Sequence, residues 1–219
     1  IILLLLGALL HPFGKVSTLP EDFNAAWLVL LGKKPCRTDP TVGDIYEACG
    51  MRPLSIVSSL NRLLACILRD ALAPIGEAFI AHHQRGFLTG RLMNQNIFDV
   101  DMHTMIALRY GEKAAQIFFD FAAAFPSVDH GYVWACLAAI GLPYFLINAL
   151  KAFYRNNKHK ITIHGLIFES FMVCSGVRQG CALSPLLFVM VLEPLLCRLG
   201  DSVPSLRCLR AFADDIAMV

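Results

Sequence analysis

The strongest constraint on the fold lies in residues 212–219, which read FADDIAMV. Two adjacent carboxylates, Asp214 and Asp215, stand between apolar, strand-forming residues. Because an unpaired buried charge is costly, such a pair lies at a turn, finds cations or binds a metal ion. The pattern predicts a tight β-hairpin with both carboxylates at its tip. Taken alone, this stretch is more typical of a solvated Asp-Asp turn without chemistry.

Two further stretches give the acidic pair a context. Residues 116–120 (QIFFD) form an apolar strand that ends in Asp120, and residues 175–188 read SGVRQGCALSPLLF. With residues 212–219, these stretches resemble the palm of reverse transcriptases, most closely those of LINE-type (non-LTR) retrotransposons and more distantly those of group II introns. The resemblance begins near Leu19 and reaches the last residue. Its most specific part is residues 175–188, and Phe212 stands where the family often has Tyr.

Composition sets bounds but does not identify a function. Hydrophobic residues make up 56% of the 219 residues and charged residues 16%, which excludes a disordered chain and allows one domain or two closely packed subdomains. The net charge of +2 is low for a protein that binds nucleic acid, since such proteins normally carry a clear basic excess. The eight cysteines show no C-x-x-C spacing, which favours reduced thiols in an intracellular protein over a disulfide framework or a zinc site.

The first ten residues are apolar but too few to span a bilayer, so no membrane partner is expected. A buried helix or strand fits residues 1–10 better than a clipped signal sequence does, and residues 1–18 receive no role. Because the chain does not begin with Met and stops within a hairpin, we expect a fragment or a truncated reading frame.

Hydrophobic periodicity and turn residues predict the local structure. Residues 35–53 read as an irregular loop, residues 52–56 as the entry to a helix that continues through Leu72, and Ser184 as the cap of a helix kinked at Pro194. The remaining predicted elements are strands at 27–31, 116–120, 160–164 and 166–173, and helices at 92–108, 132–140, 144–154 and 184–199. Strands interleaved with helices without a βαβ repeat indicate the α+β class.

The resemblance implies an α+β right-hand polymerase architecture. Fingers are expected over about residues 19–112. The palm, with inserted fingers strands, is expected over about residues 113–219 and is built on an antiparallel sheet. We expect no thumb, and therefore a domain that is incomplete at its C-terminal end.

The resemblance also assigns the metal ligands. Asp120 and Asp214 match the family's metal-binding positions, and Asp215 is the second acid of the box. Two Mg²⁺ ions, with Mn²⁺ as a possible substitute, would activate a 3′-hydroxyl and stabilise the leaving oxygen in nucleotidyl transfer. We expect the carboxylates of Asp120 and Asp214 to approach within roughly 4–7 Å. Pro126 replaces an acid that is common in the family, but that acid is not the metal ligand.

Five residues match nucleotide-binding positions of the family. Phe121 would contribute a backbone carbonyl. Phe125 would pack beneath the incoming sugar and exclude a 2′-hydroxyl, although packing in the core is its ordinary role. Gln179 and Gly180 match residues that line the nascent base pair. Arg62 falls near a basic fingers residue that faces the triphosphate.

Four residues are candidates for contact with nucleic acid. Arg85, Gly86 and Arg91 belong to residues 84–91 (QRGFLTGR), which resemble a family element with glycines for close backbone approach and arginines for phosphates. An ordinary basic loop is the alternative. Arg178 is expected to support its own loop or the template backbone.

Three functions are compatible with these residues. The first is an RNA-directed DNA polymerase of a LINE-type element, with an RNA template, a DNA primer and deoxynucleotide triphosphates as partners, acting in the nucleus if active. The second is a non-catalytic or domesticated remnant that binds nucleic acid. The third is a viral RNA-dependent RNA polymerase, which typically has a polar residue where Phe125 stands. We expect this chain by itself not to polymerise, because a short last strand would fray and no thumb is found.

Overall fold

The computed structural model describes residues 19–163 and 166–219, and Gly7 among the residues before them. Within these residues, no helix is long and apolar enough to cross a membrane. The predictions for residues 1–10 and for a turn near Gly165 lie outside the described residues. The strands are β1 (Ala26–Gly32), β2 (Arg37–Asp39), β3 (Gly43–Ile45), β4 (Met51–Val57), β5 (Ile117–Phe119), β6 (Lys158–Ile163), β7 (Leu166–Ile167), β8 (Phe171–Met172), β9 (Leu209–Phe212) and β10 (Asp215–Met218). The α-helices are α1 (Ser59–Phe79), α2 (Met93–Arg109), α3 (Ala124–Ser127), α4 (His130–Ala139), α5 (Tyr144–Ala152) and α6 (Ser184–Ser202).

The chain divides into two compact units, and each is described by itself. Unit 1 contains residues 19–65, 144–163, 166–174 and 178–182. Unit 2 contains Cys66–Pro143, Ser175–Val177 and Leu183–Val219. The division between the first segments of the two units falls inside α1, between Ala65 and Cys66.

Unit 1 is built on a sheet in which β1 lies between β4 and β6. All seven residues of β4 pair antiparallel with β1, whereas β6 runs parallel to β1, and β7 and β8 both pair with β6. The prediction that residues 52–56 enter a helix is therefore wrong. Pro53 is tolerated within β4 because β4 is an edge strand, where a missing N–H need not break a ladder.

The predicted irregular loop at 35–53 is also partly wrong, because it contains a small hairpin of β2 and β3. The Asp39 carboxylate accepts the N–H groups of Thr41 and Val42 at 2.8 and 3.1 Å, an Asx-type turn that short polar side chains favour. Gly43 follows with φ of +89°. The Asx-type turn and this glycine therefore close a hairpin in a stretch whose polar composition predicted only a loop.

Unit 2 contains a three-stranded antiparallel sheet with β10 between β5 and β9. Its core includes α6, whose Leu187, Met190 and Leu196 are fully buried, and α4, whose Leu137 is also fully buried. The predicted acidic hairpin and the strand before Asp120 are confirmed. The expectation that the last strand would fray is wrong, because β10 is the central strand and is paired on both sides.

Helix ends differ from the predictions in two places. The cap of α6 is Leu183 rather than Ser184, which is already the first helical residue, with Pro185 in the first turn. Helix α1 runs to Phe79, past both the predicted end at Leu72 and the internal Pro74. The helices predicted at 92–108, 132–140 and 144–154 are confirmed within two residues at each end.

Candidate active site

The site is organised by the turn between β9 and β10. Phe212 pairs with Asp215 across the hairpin, which leaves Ala213 and Asp214 as the two turn residues. Ala213 has φ of +57°, a left-handed conformation that costs about 1–2 kcal/mol for a residue with a side chain. The chain therefore accepts strain where it presents the two acids.

Strand β5 brings the third acid to the same hairpin. Phe119 is paired with Ile216 in the antiparallel ladder of β5 and β10. Continuing this register by one residue sets Asp120, which directly follows β5, opposite Asp215. Paired residues on antiparallel strands point to the same face of the sheet, so Asp120 and Asp215 share a face.

The electrostatic environment of Asp215 also indicates that the other two acids lie near it. Burial raises the pKa of Asp215, and the neighbouring carboxylates of Asp214 and then Asp120 raise it further. Among residues 19–163 and 166–219, no Lys, Arg or His side chain forms an ion pair with any of the three acids. Carboxylates without a cationic partner are the ligand type that hard divalent cations prefer, so the chemistry of these residues fits a metal site, although among the described residues their oxygens do not form a group within 4.8 Å of one another.

A cavity of about 590 Å³ adjoins two of these acids. Asp120 and Asp215 line it together with apolar side chains of the sheet and of α2, including Phe118, Phe212 and Ile97. Low-polarity walls strengthen the interaction of the carboxylates with any cation bound between them.

Phe125 lies in the short helix α3 and packs in an aromatic cluster. Its ring stacks on Phe188 with centroids 4.7 Å apart and meets the edge of Phe87 at 6.4 Å. The packing role that the sequence allowed is therefore present. Phe121, next to Asp120, remains 38% exposed.

The other predicted nucleotide-binding residues lie in unit 1, whereas the three acids lie in unit 2. Gln179 and Gly180 pack along β4, since the Gln179 carbonyl accepts the N–H of Ser55 at 2.9 Å. Gly180 has φ of +99°, and a Cβ there would come within 2.9 Å of the Ser55 carbonyl oxygen. Arg62 is exposed on α1.

The predicted nucleic-acid contacts in residues 84–91 have intramolecular partners instead. Arg91 donates to the carbonyls of Ala81, Gln84 and Ile80 at 2.5–2.9 Å, and so satisfies backbone groups at and beyond the end of α1. Arg85 forms an ion pair with Asp99 at 2.8 Å. These contacts give the ordinary-loop alternative more support than phosphate binding.

Gly86 also has a packing role. A Cβ at this position would overlap the backbone nitrogen of Ala213. The glycine thus allows the 84–91 loop to approach the acidic turn rather than a nucleic acid.

Arg178 is buried, with 4% of its surface exposed. Its guanidinium donates to the side-chain oxygen of Asn24 at 2.8 Å and to the Phe153 carbonyl, and it lies over the Tyr154 ring at 5.5 Å. Burial lowers its pKa. Of its two roles predicted from sequence, this position favours support of the loop.

Two further groups of side chains are not among the residues predicted from the sequence. Gln84 is fully buried and binds the acidic turn; its place in residues 84–91 was the available signal. His83, Glu193 and Cys197 bring ligand-type atoms within 4.8 Å of one another. The Glu193 carboxylate already accepts bonds from His83, Cys197 and the Ala81 N–H, so this cluster is satisfied as a structural network.

Comparison with known proteins agrees with this geometry. The family described as "Reverse transcriptase (RNA-dependent DNA polymerase)" matches residues 39–219. The chain is 29% identical over 213 residues to the Transposon TX1 uncharacterized 149 kDa protein of Xenopus laevis, covering 94% of this chain and 16% of that protein. It is 30% identical over 179 residues to the retrovirus-related Pol polyprotein from type-2 retrotransposable element R2DM of Drosophila melanogaster, covering 76% and 16%. The chain thus spans about a sixth of the length of these relatives.

Solved structures show the same fold. Telomerase from Candida tropicalis in complex with the TWJ fragment of telomeric RNA superposes with a TM-score of 0.62 at 11% identity, covering 90% of this chain and 36% of that one. Apo telomerase from the same organism, truncated from its C-terminal domain, gives 0.56 at 12% identity, covering 92% and 44%. With its mixed α/β fold and the family match over residues 39–219, the chain belongs to the reverse transcriptase family.

Proposed function

We propose that the chain is part of an RNA-directed DNA polymerase of a non-LTR retrotransposon, which adds deoxynucleotides to a primer 3′-hydroxyl. The observation that carries the proposal is the β5–β10 ladder, whose register sets Asp120 opposite Asp215, the residue that follows Asp214. The named relatives include a probable RNA-directed DNA polymerase from transposon X-element of Drosophila melanogaster. Family membership supports an enzyme, and the acids supply the chemistry that such an enzyme requires.

Asp120, Asp214 and Asp215 would hold the divalent cations that reverse transcriptases generally use, with two Mg²⁺ ions as our proposal. When bound, such ions lower the pKa of an attacking hydroxyl and neutralise charge on the phosphates. The chain's own part is to keep three carboxylates oriented before substrate arrives, which avoids the cost of assembling them during the reaction.

Unit 2 would be the palm and unit 1 the fingers. Unit 2 holds the three acids on an antiparallel sheet, and unit 1 holds Gln179, Gly180 and Arg62. This assignment moves residues 66–112, which the sequence placed in the fingers, to the palm. It keeps the inserted strands β6, β7 and β8 with the fingers.

Phe125 would select the sugar of the incoming nucleotide. Its ring stacks on Phe188 and meets Phe87 edge-on, and these contacts limit its freedom to move away from an added hydroxyl group. Stacked support of this kind is what a rigid steric filter requires.

An RNA template and a DNA primer would be the macromolecular partners. Unit 1 exposes Lys158, Lys160 and Trp27 on neighbouring strands, with the Lys160 ammonium 5.9 Å from the centre of the Trp27 ring. Cations beside an exposed aromatic ring suit the backbone and bases of a single strand. This surface is a better candidate for template contact than Arg85, Arg91 or Arg178.

Primer extension tests the proposal. Because the chain by itself is not expected to polymerise, a version extended through the thumb is supplied with an RNA template, a DNA primer, Mg²⁺ and deoxynucleotides, and its Asp120→Asn variant is compared with its Asp70→Asn variant. Asp70 is an exposed acid on α1 paired with Arg69. We expect extension to fall at least about 100-fold in Asp120→Asn and to stay unchanged in Asp70→Asn. Equal extension by wild type and Asp120→Asn would contradict the proposal.

A further inference from the structure

One buried side chain outside the hairpin holds the turn that carries the acids. Gln84 has no exposed surface. Its Oε1 accepts the N–H of Ala213 at 2.9 Å, and its Nε2 donates to the Ala213 carbonyl at 3.1 Å. Both backbone polar groups of Ala213 are thus satisfied by a single side-chain amide.

This contact falls on the strained residue of the turn. Ala213 has φ of +57°, and a residue with a side chain keeps such a conformation only where its surroundings impose it. The next residue is Asp214. Whatever fixes the Ala213 peptide therefore fixes the direction in which Asp214 and Asp215 leave the turn.

Gln84 is itself fixed by backbone contacts. The His83 carbonyl accepts the Ala211 N–H at 2.7 Å, and the Arg85 N–H donates to the Ala211 carbonyl at 2.8 Å. These bonds dock the segment along β9. The Gly86 N–H also donates to Gln84 Oε1 at 2.7 Å. The Gln84 oxygen thus accepts from Gly86 as well as from Ala213, which orients the side-chain amide.

We propose that Gln84 is a positioning residue for the acidic pair. It acts through Ala213 and touches neither substrate nor metal. The consequence for metal affinity rests on the proposed function, whereas the clamp on Ala213 does not. Partners that orient metal ligands typically change metal affinity about 10–100-fold when they are removed.

The test uses Gln84→Met, which keeps the length of the side chain and removes both hydrogen bonds to Ala213. The exchange rate of the Ala213 amide is measured by NMR, and Mn²⁺ affinity by electron paramagnetic resonance. We expect amide exchange at Ala213 to rise about tenfold or more and Mn²⁺ affinity to fall about tenfold. Asn61→Leu, which removes a buried amide that bonds the Phe23 carbonyl in unit 1, is the control and should change neither quantity.

A rescue variant separates positioning from packing. Glycine adopts positive φ without strain, so adding Ala213→Gly to Gln84→Met should restore part of the Mn²⁺ affinity. Loss of packing around Gln84 would not be repaired by this change. Gln84→Asn keeps a buried amide that is too short to reach Ala213; it serves as a second variant should Gln84→Met not fold, with the same two effects expected.

Two results would overturn the proposal: an Ala213 amide that exchanges at the wild-type rate in the Gln84 variants, or Mn²⁺ affinity that falls without any recovery in the double variant. If the wild-type chain binds no Mn²⁺, the proposed function fails. The amide exchange rate then still decides whether Gln84 holds the turn.

Discussion

At the scale of single residues, the sequence identified chemical groups better than it identified their partners. Asp120 directly follows β5, and Asp214 and Asp215 lie at the β9–β10 turn, while their role as metal ligands stays a prediction. Arg91 is a candidate for nucleic-acid contact and Arg178 for support of its loop or of the template backbone, and both donate to groups within the protein. A sequence shows that an arginine is present, but only the fold shows which carbonyls need a donor.

Phe125 gives a residue-scale prediction about sugar choice. Phe125→Ala removes the ring that would exclude a 2′-hydroxyl, so we expect primer extension with ribonucleotides to rise at least about tenfold relative to deoxynucleotides, a change of about 1.4 kcal/mol. Phe125→Tyr keeps the ring and should retain the wild-type preference. Unchanged discrimination in Phe125→Ala would leave this residue with packing alone.

His159 gives a second prediction, on stability. Burial, with a contribution from the Arg178 charge, lowers the pKa of His159 to about 4, below its value near 6.5 in an unfolded chain. As pH falls from about 6.5 to 4, His159 therefore binds a proton in the unfolded state but not in the folded state. The free energy of unfolding should fall over this window by up to about 3 kcal/mol.

The measurement for His159 is urea denaturation across this pH range. His159→Gln should remove most of the pH dependence, while the control His103→Gln, a half-buried histidine on α2, should keep it. A His159→Gln chain that loses stability with the wild-type slope would show that another group is responsible.

At the scale of elements, helices with an apolar face were predicted well and strands near turns less so. The α5 helix follows an apolar repeat that periodicity detects, whereas α4 is apolar without one distinct apolar face. Strand β4 was missed because it contains Pro53 and directly precedes a helix, and because its partner β1 lies 19 to 31 residues earlier in the chain, from Gly32↔Met51 to Ala26↔Val57. Non-local pairing of this kind overrides local preference.

The close approach of Gly86 to the β9–β10 hairpin gives a prediction at the scale of elements. Gly86→Ala places a methyl group onto the backbone nitrogen of Ala213, which cannot move without disturbing the turn. We expect the free energy of unfolding to fall by about 1–3 kcal/mol. Gly200→Ala, where the nearest atom would be 3.9 Å away, is a matched control within α6 and should be neutral or slightly stabilising. Equal stability of the two variants by urea denaturation would contradict the close packing described.

At the scale of the whole molecule, the net charge of +2 raises the question of which cations remain for nucleic acid. Arg85 and Arg91 are engaged internally, whereas Lys158 and Lys160 are exposed. Binding of nucleic acid therefore depends on the exposed cationic side chains, and composition does not show which ones are exposed. The family and the α+β class could be predicted from sequence, but this distribution could not.

Salt dependence tests that distribution. Each phosphate contact contributes about 0.9 to the slope of log affinity against log salt concentration for a duplex and about 0.7 for a single strand. Lys160→Gln should reduce the slope for a primed RNA template by about the contribution of one phosphate contact. Arg91→Met should leave the slope unchanged and lower the free energy of unfolding by about 1–3 kcal/mol, because carbonyls at the end of α1 lose their donor. The opposite pattern, a smaller slope in Arg91→Met alone, would restore the 84–91 loop as a phosphate contact.

The central claim is that Asp120, Asp214 and Asp215 form one divalent metal site, and direct titration with Mn²⁺ tests it most simply. The spectrum of free Mn²⁺ is followed as wild type, Asp120→Asn, Asp214→Asn and the control Asp70→Asn are added. We predict that wild type and Asp70→Asn bind Mn²⁺ with the same affinity, and that each of the other two variants binds at least about tenfold more weakly. If Asp120→Asn binds Mn²⁺ as well as wild type does, the three acids do not form one site and the account is contradicted.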